Sequence, residues 1–384
     1  MMATHPRQRL CYVVSSAMTV SAFLKGHIAA ASEQYDVSVV ANTDDGEFLR
    51  RLGLDAVLYR VAIVRRVSPW RDLLALLALV QLFRSERFAI VHSISPKAGL
   101  LAMLAASITG TLHRVHTFTG QVWVTRRGWR RWLLKQADRL LAALTTRALV
   151  DSPSQRDFLI AEQVIAVDKA EVIGKGSICG VDGTRFRPDE AARSVLRNEL
   201  GISSSAPVLL FLGRLNRDKG LLDLAAAFAC VATRFPETWL LFVGPDEEGM
   251  ADSIADICVV VRNRVQFIDY TPQPEHFMAA ADIFCLPSYR EGFGMVVIEA
   301  AAAGLPAVAS RIYGITDAVV DGQTGLLHPP GDVVAIAERL TELLGAPERC
   351  KALGARARVR ALADFSQFGS SQGLLAFYAK ILAP

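Results

Sequence analysis

Two glutamates, Glu291 and Glu299, stand on either side of a glycine-containing turn. The apolar run 283–286 before this turn predicts a buried strand, and residues 295–303 after it have the composition of a buried helix. Unpaired N–H groups and a partial positive charge at the start of such a helix favour a bound phosphate, and glycine lets the backbone approach that ligand closely. The backbone expected at the phosphate is that of Phe293, Gly294 and Met295.

The two carboxylates need a different explanation, because they would repel a phosphate. An ionised carboxylate instead makes strong charge-assisted hydrogen bonds to hydroxyl groups. Acids beside an anion site therefore predict a ligand that carries both phosphates and sugar hydroxyls, as a nucleotide sugar does. The alternative is that Glu291 is an ordinary first-turn acid and that Glu299 is a solvated helix residue, although apolar residues surround Glu299 in the sequence.

A second charged segment, with Arg214 and Lys219, follows the predicted strand 207–213. Ligands of open α/β sheets lie beyond the carboxyl ends of the strands, which places both cations well for phosphate contact. Arginine suits bidentate contact and lysine supplies a point charge. The alternative is a solvated basic loop. Three more residues at strand ends are predicted to contact the nucleotide, unless they belong to plain surface turns: Gly213, Gly244 and Asp269.

Apolar runs alternate with helical stretches along both halves of the chain, which predicts two parallel, doubly wound α/β sheets. In the first half, strands are predicted near 10–14, 37–41, 56–61, 89–92, 114–117 and 148–151. In the second half, they are predicted near 207–213, 239–243, 265–268, 282–286, 307–310 and 321–328. The glycine-rich segment 172–182 between the halves is predicted to be a hinge.

The acid pair in PSYREGFGMVVIEAAAAGLPAVAS, at 287–310, resembles the signature of retaining glycosyltransferase family 4. That resemblance implies the GT-B fold, in which two Rossmann-like doubly wound parallel-sheet domains face a cleft. The domains expected are an acceptor-binding domain at 1–175, a nucleotide-sugar-binding domain at 176–364, and a C-terminal helix at 365–384 that crosses back to the first domain.

The same resemblance assigns roles within the segment GRLNRDKG, at 213–220. It implies that Arg214 and Lys219 bind the donor diphosphate and stabilise the departing nucleotide. It also implies that Glu291 binds the sugar hydroxyls and that Glu299 binds the ribose. The cations would then replace a divalent metal, so we expect no metal and no cofactor besides the nucleotide-sugar substrate.

The acceptor side is expected in the first half. His92, Ser95 and Lys97 lie at a predicted strand end and helix start, where an anion would be favoured. This segment resembles that of bacterial family members that extend polyprenyl-diphosphate-linked sugars. Many members have a histidine about where Thr119 stands here, contacting the transferred sugar, so either His116 or Thr119 is a candidate for this role.

Basic and aromatic residues interleave in two segments of the first half, which suits the surface of an anionic membrane. One segment contains Arg65, Arg66, Trp70 and Arg71, and the other contains Trp123, Arg126, Arg127, Trp129, Arg130, Arg131, Trp132, Lys135 and Arg139. The positive charge of these segments would also suit a nucleic-acid ligand, but no nucleic-acid recognition motif supports that interpretation. The alternative is a solvated helix face with its tryptophans in the core.

Composition agrees with a large globular protein of two domains: 384 residues, of which 52% are hydrophobic. The net charge of +4 is uneven, because residues 1–165 hold 21 Lys and Arg against 12 Asp and Glu. Six scattered cysteines with no CxxC pair are predicted to be reduced, mostly in the core of a cytosolic protein.

Together these features predict a retaining glycosyltransferase that moves a sugar from a UDP-sugar to a polyprenyl-diphosphate-linked glycan. We expect it on the inner face of the cell membrane, in synthesis of a surface polysaccharide such as O-antigen or capsule. Two rivals stay open: a sugar-nucleotide 2-epimerase on the same scaffold, which needs no acceptor, and a nucleotide-sugar-binding scaffold without turnover.

Overall fold

A computed structural model describes residues 7–64 and 66–383. The chain forms two compact units: the first runs to Cys179 and resumes at Gln367, and the second is Gly180–Ser366. The chain therefore passes from one unit to the other at 179/180 and again at 366/367.

The first unit is built on a seven-stranded parallel sheet whose order is three, two, one, four, five, six, seven along the chain. Its strands are β1 Arg9–Val13, β2 Asp36–Ala41, β3 Val57–Arg60, β4 Ile90–Ile94, β5 His113–Phe118, β6 Arg147–Val150 and β7 Ala170–Glu171. Most positions of β1, β2 and β4 are buried, as expected of a parallel sheet covered on both faces.

Helices cover both faces of this sheet. They are α1 Ala17–Thr19, α2 Lys25–Ser32, α3 Phe48–Arg51, α4 Pro69–Glu86, α5 Pro96–Ile108, α6 Gly128–Leu144, α7 Pro153–Ala161 and the C-terminal α16 Gln367–Leu382, with a π-helical turn at Val20–Leu24. Proline begins α4, α5 and α7, where its missing N–H costs no hydrogen bond. One face packs under α4, α5 and α6, and the other packs under α2 and α16.

The second unit has a six-stranded parallel sheet of the order β10-β9-β8-β11-β12-β13. Its strands are β8 Val208–Leu212, β9 Trp239–Val243, β10 Val265–Ile268, β11 Ile283–Leu286, β12 Ala307–Ser310 and β13 Gly325–His328. Its helices are α8 Glu190–Glu199, α9 Leu221–Arg234, α10 Met250–Ile257, α11 Pro274–Ala280, α12 Met295–Ala302, α13 Ile315–Ala318, α14 Val333–Leu344 and α15 Pro347–Asp364.

Two parallel doubly wound sheets confirm the predicted α/β class. The last strand is shorter than predicted, because residues 321–324 form a turn in which the N–H of Val320 donates to Oγ1 of Thr324 at 2.9 Å. Gly325 then starts β13 so close to β12 that an added Cβ would lie 2.4 Å from the carbonyl oxygen of Ala307. Five of the six cysteines are buried as expected, and Cys230 is exposed.

None of the helices in the described ranges is both long and apolar enough to cross a membrane.

Candidate functional site

The second sheet changes direction of winding between β8 and β11, which are neighbours although 70 residues of chain separate them. At such a switch point, the loops that follow the two strands leave a crevice at the carboxyl edge, where ligands of open α/β sheets bind. The loop after β8 carries Arg214 and Lys219, and the loop after β11 carries Glu291. The topology therefore brings together three side chains that the sequence analysis singled out.

Lys219 and Glu291 are in direct contact. Nζ of Lys219 donates to Oε1 of Glu291 at 2.5 Å, and Oγ of Ser288 donates to the same oxygen at 2.8 Å. The two charged side chains are only 19% and 13% exposed. This partial shielding strengthens the pair relative to one in open solvent, and it holds a carboxylate and an ammonium side by side at the switch point.

Backbone contacts lock the two loops against each other. The short 3₁₀ turn Arg217–Lys219 ends at Gly220, whose φ of +67° is in the left-handed region. A Cβ there would lie 2.1 Å from the carbonyl oxygen of Pro287, so only glycine fits. The N–H of Tyr289 also donates to the carbonyl of Asp218 at 2.9 Å. Lys219 and Glu291 are therefore positioned by main-chain packing as well as by their own ion pair.

Arg214 lies on the more exposed side of the same crevice and pairs with Glu247. Its Nη1 is 3.1 Å from both carboxylate oxygens of Glu247, and Nδ2 of Asn216 donates to the same group at 3.3 Å. Glu247 follows β9, the next strand of the sheet. An incoming phosphate would compete with this carboxylate for the guanidinium.

The N-terminus of α12 lies at the same carboxyl edge of the sheet. Gly294 is its N-cap residue, with φ +79°, and has no side chain to cap the helix. Phe293 is buried, and its ring packs on Phe365 with a centroid separation of 5.1 Å. Gly314 approaches so closely that a Cβ there would lie 2.2 Å from the carbonyl oxygen of Gly292. These contacts fix the turn and leave the start of α12, at Met295, able to attract negative charge.

Glu299 lies on α12 and is half-buried. Burial raises the pKa of its carboxyl to about 7; the charge of Arg185 opposes this rise and that of Glu275 adds to it. Arg185 itself donates to Oε2 of Glu275 at 3.0 Å and to the carbonyl of Pro272 at 2.8 Å. Among the residues that the structure describes, none donates a hydrogen bond to the Glu299 carboxylate. A desolvated carboxylate of this kind gains most from hydroxyl donors on a ligand.

Three predicted nucleotide contacts also follow strands of this sheet. Gly213 and Gly244 pack backbone on backbone: a Cβ on Gly244 would lie 2.1 Å from the carbonyl oxygen of Gly213. Asp269 follows β10 and is exposed, and its carboxylate accepts a hydrogen bond from the N–H of Tyr270 at 2.7 Å. All three lie at the carboxyl edge, and their contact with a nucleotide remains a prediction.

The first unit places His92 inside the core. Its Nδ1 is 2.5 Å from the hydroxyl of Tyr378 on α16, and its Nε2 is 2.7 Å from Oγ1 of Thr117. Burial lowers the pKa of His92 well below its usual value. Because both ring nitrogens are bonded within the unit, we assign His92 a structural role in place of the expected contact with an acceptor.

His116 is also buried, and its Nδ1 is 2.8 Å from Oγ of Ser93. Burial lowers the pKa of His116 to about 3, so its ring is neutral at physiological pH. The ring lies directly under the start of α5, where a Cβ on Gly99 would come within 2.4 Å of its Cε1 atom. A neutral ring can hydrogen-bond a sugar hydroxyl, but it cannot supply a cation to a leaving group.

The other first-unit candidates lie at the carboxyl edge, around the switch point between β1 and β4. Ser95 has φ +75°, and its Oγ donates to Oγ of Ser15 at 3.3 Å. Lys97 forms an ion pair with Asp72 at 2.5 Å. Thr119 follows β5, is partly exposed, and accepts on its carbonyl from Nε2 of Gln155 at 2.8 Å. The structure thus groups Ser95 and Lys97 at one loop, while their contact with an acceptor stays a prediction.

Comparison with known proteins adds independent evidence. Residues 192–360 match the family model described as glycosyl transferases group 1, and residues 27–176 match that of the glycosyl transferase 4-like domain. A D-inositol 3-phosphate glycosyltransferase of Corynebacterium efficiens is 32% identical to the chain over 302 residues, which is 70% of each protein. The chain belongs to the group 1 glycosyltransferases.

Two more matches extend over nearly the whole glycosyltransferase chain. The capsular polysaccharide biosynthesis glycosyltransferase CapM of Staphylococcus aureus is 27% identical over 361 residues, covering 94% of this chain and 93% of CapM. The crystal structure of Anabaena HepE in complex with UDP-glucose superimposes with a TM-score of 0.80 at 18% identity, covering 97% of this chain and 100% of HepE. The structural match confirms the GT-B fold.

Two residues of this glycosyltransferase escaped the sequence analysis. Ser288 bonds Glu291, and Glu247 bonds Arg214, so both orient residues at the switch point. The position of Ser288 directly after a strand was a usable signal, because the carboxyl ends of strands are where sites form. Glu247 also follows a strand, but its pairing with Arg214 from another loop could not be predicted, since a glutamate in a turn is usually solvated.

Proposed function

We propose that this glycosyltransferase moves a sugar from a UDP-sugar to a hydroxyl of a polyprenyl-diphosphate-linked glycan, with retention at the anomeric carbon. The reaction would serve synthesis of a surface polysaccharide, on the inner face of the cell membrane. The observation that carries the donor half of the proposal is the grouping of Lys219, Glu291 and Arg214 at one switch point.

The donor diphosphate would lie between the two cations and the start of α12. Lys219 and Arg214 come from the loop after β8, while Gly294 and Met295 begin α12, so positive charge approaches from two directions. Fixed cations and helix N-termini stabilise charge that develops on a leaving group, and they need little rearrangement during the reaction. Negative charge grows on the diphosphate as the bond to the sugar breaks, which is the step these groups would assist.

The two glutamates would hold the neutral parts of the donor. Glu291 can accept hydrogen bonds from sugar hydroxyls, while its contact with Lys219 holds the carboxylate in place at the switch point. Glu299 can accept from the ribose hydroxyls, because its carboxylate has no donor among the described residues. Together they would orient the anomeric carbon toward the acceptor.

The transfer step needs no protein nucleophile in this scheme. The bond from the anomeric carbon to the diphosphate breaks, and a glycosidic bond to the acceptor oxygen forms on the same face. The acceptor proton passes to the departing phosphate oxygen. The chain's residues bind, orient and neutralise charge, and we assign none of them as the general base.

Support for the finer assignments comes from the relatives. HepE binds UDP-glucose, which favours a uridine nucleotide, and CapM acts in capsular polysaccharide biosynthesis, which favours a cell-surface glycan. Arg214 and Lys219 supply the charge that a divalent metal supplies elsewhere, so we propose transfer without metal. Activity retained in the presence of a chelator would support this point, and its loss with restoration by Mg²⁺ would refute it.

The decisive experiment follows polyprenyl-linked glycans by mass spectrometry in a deletion strain, together with transfer by the purified protein. We expect a lipid-linked glycan to accumulate one sugar short, and purified protein with UDP-sugar to extend it. NMR of the product would show the same anomeric configuration as the donor. Release of an epimerised sugar from donor alone would point to the epimerase, and donor binding without transfer would point to the scaffold.

A further inference from the structure

Two helices of the first unit expose large apolar side chains on their outward faces. Trp70 of α4 is 71% exposed, and on α6 Trp129 and Trp132 are 69% and 63% exposed. Other exposed apolar residues on these helices are Leu73, Leu74, Leu77, Leu133, Leu134 and Leu140. A surface helix normally presents polar residues to solvent, and a contiguous apolar patch marks an interaction site. These residues form what we call the α4–α6 surface.

The topology places both helices on one side of the sheet. The helix α5 packs against α4 and against α6, so the three lie side by side. Because α5 and α6 follow β4 and β5, both begin at the carboxyl edge of the sheet; α4 leads into β4 and therefore begins at the same edge. Trp70 and Trp129, each the second residue of its helix, thus lie at the edge that also carries Ser95.

Arginines border this surface at the same edge. Arg66 and Arg71 lie at the start of α4, and Arg126, Arg127 and Arg130 lie at the start of α6, all exposed. Among the described residues, none of these five takes part in a salt bridge. Arg65, which the sequence analysis grouped with them, lies outside the described residues.

Their position argues against a role in helix stability. The N-terminus of a helix carries partial positive charge and favours acids, so cations there are unfavourable. No acid occupies the first turn of α6, whereas Arg130 does. By contrast, two cations further along, Arg131 and Lys135, both pair with Glu162. The guanidinium of Arg130 lies over the ring of Trp129, 5.6 Å from its centroid, but none of the five arginines has a carboxylate partner among the described residues. They therefore gain from an anionic partner outside the chain.

We propose that the α4–α6 surface docks on an anionic phospholipid bilayer. Tryptophan and leucine insert favourably at the boundary between headgroups and acyl chains, while arginine contacts anionic headgroups. A second copy of the chain would fit less well, since its own arginines would meet these. Nucleic acid would leave the exposed leucines of α4 in water.

This inference deepens the proposed function, because it names the surface that would bring the enzyme to a lipid-linked acceptor. With α4 and α6 on the bilayer, the carboxyl edge of the first sheet would lie near the headgroups. Ser95 and Lys97 lie at the start of α5, between α4 and α6. The acceptor's diphosphate, in the headgroup layer, would then be level with these two residues. The docking itself does not depend on which sugar is transferred.

The test is co-sedimentation of the full chain with vesicles of phosphatidylcholine alone or mixed with phosphatidylglycerol. We expect binding to the anionic vesicles only, and loss of binding in about 1 M salt, where the screening length is roughly 3 Å. Since each arginine near an anionic surface contributes about 1 kcal/mol, R126E/R127E/R130E should lower the partition coefficient at least a hundredfold. W129A/W132A should lower it about tenfold by removing the inserted rings.

A matched control comes from the second unit, where Val259, Val260 and Arg262 are also exposed. V260A/R262E should bind vesicles as the unchanged protein does. The circular dichroism spectrum and thermal unfolding of every variant verify that it is folded, and UDP-glucose binding verifies that the donor site is intact.

Equal binding to neutral and anionic vesicles, or unchanged binding of both surface variants, would overturn the proposal. So would a dimer in sedimentation velocity that the same substitutions dissociate without vesicles, or binding to an oligonucleotide in preference to vesicles. Vesicle binding without any sugar transfer would leave the docking surface standing and would refute only the proposed function. Transfer to a polyprenyl-diphosphate-linked glycan in detergent, without vesicle binding, would do the reverse.

Discussion

The two sheets share the same strand order over six strands, yet the polar residues around their switch points differ in burial. In the second unit, the loops after β8 and β11 bring together Lys219, Glu291 and Arg214, all charged and partly accessible. In the first unit, the strands next to the corresponding point bury His92 and His116, both with lowered pKa. Both switch points therefore carry a shielded ion pair, Lys97–Asp72 in the first unit and Lys219–Glu291 in the second, but the strands of the first unit also bury neutral histidine rings there.

Burial explains this difference. A group in a desolvated interior keeps its neutral form, whereas a charge survives near the surface or beside a partner of opposite sign. The second unit keeps its charges at the loop ends, where each cation has a carboxylate partner. Inside the first unit lie uncharged imidazole rings and hydroxyl groups. Its arginines without a carboxylate partner lie on the surface, at the starts of α4 and α6. We expect substitutions in the two units to affect different measured quantities.

The largest effect is expected at the charged switch point. Lys219→Ala removes the shielded cation that we propose lies beside the donor diphosphate. Loss of one such preorganised group typically slows turnover about 10²–10³-fold. The measurement is the initial rate of sugar transfer at saturating donor. Lys351→Ala, at an exposed lysine of the same unit, is the control and should leave the rate unchanged. Nearly full activity of the Lys219→Ala enzyme would show that Lys219 does not stabilise the leaving group.

In the first unit, the expected effect is on stability. Gly99→Ala forces a methyl group against the ring of His116, and overpacking of this kind costs about 1–3 kcal/mol. The free energy of unfolding is measured with denaturant, and UDP-glucose binding should be retained. Gly46→Ala is the matched control, since a Cβ there meets no atom within 4 Å. Unchanged stability of Gly99→Ala would mean that the His116 ring is free to move.

The pH dependence of donor binding tests Glu299. Its pKa is raised to about 7, and ribose hydroxyls would donate to the ionised carboxylate, so donor binding favours the deprotonated form. Affinity for UDP-glucose should therefore weaken about tenfold as the pH falls from about 8 to about 6. The diphosphate of UDP-glucose does not titrate in this range, which isolates the protein group. Glu299→Gln should flatten the profile, and a profile that stays steep would assign the titration to another residue.

The smallest expected effect concerns the partner of Arg214. Glu247→Gln removes a carboxylate that competes with phosphate for the guanidinium, so donor affinity should rise. Surface ion pairs are weak, and the gain should be no more than about fivefold in the dissociation constant measured by calorimetry. Glu342→Gln, which breaks a salt bridge to Arg339 elsewhere in this unit, should leave the affinity unchanged. Weaker donor binding in Glu247→Gln would show that Glu247 positions Arg214 productively.

The sequence by itself determined all of the strands but one, their order along the chain and the second-unit candidates. It did not reveal the short strand β7, at Ala170–Glu171. Continuous apolar strands and helices that begin with proline follow from local composition. Arg214 and Glu291 stand out because each lies in a polar loop that follows an apolar run. Even the buried character of α12 around Glu299 could be predicted from its alanines.

Only the tertiary structure decided which polar residues are interior and which face solvent. His92 reads as a candidate ligand until α16, almost 300 residues later, brings Tyr378 against it. Likewise, Trp123 is buried against Phe158 and donates a hydrogen bond to Asp138, while Trp129 and Trp132 of the same segment are exposed. The physical reason is that burial depends on packing between residues far apart in the sequence. Residue type and local spacing do not indicate which side chains a distant helix will cover.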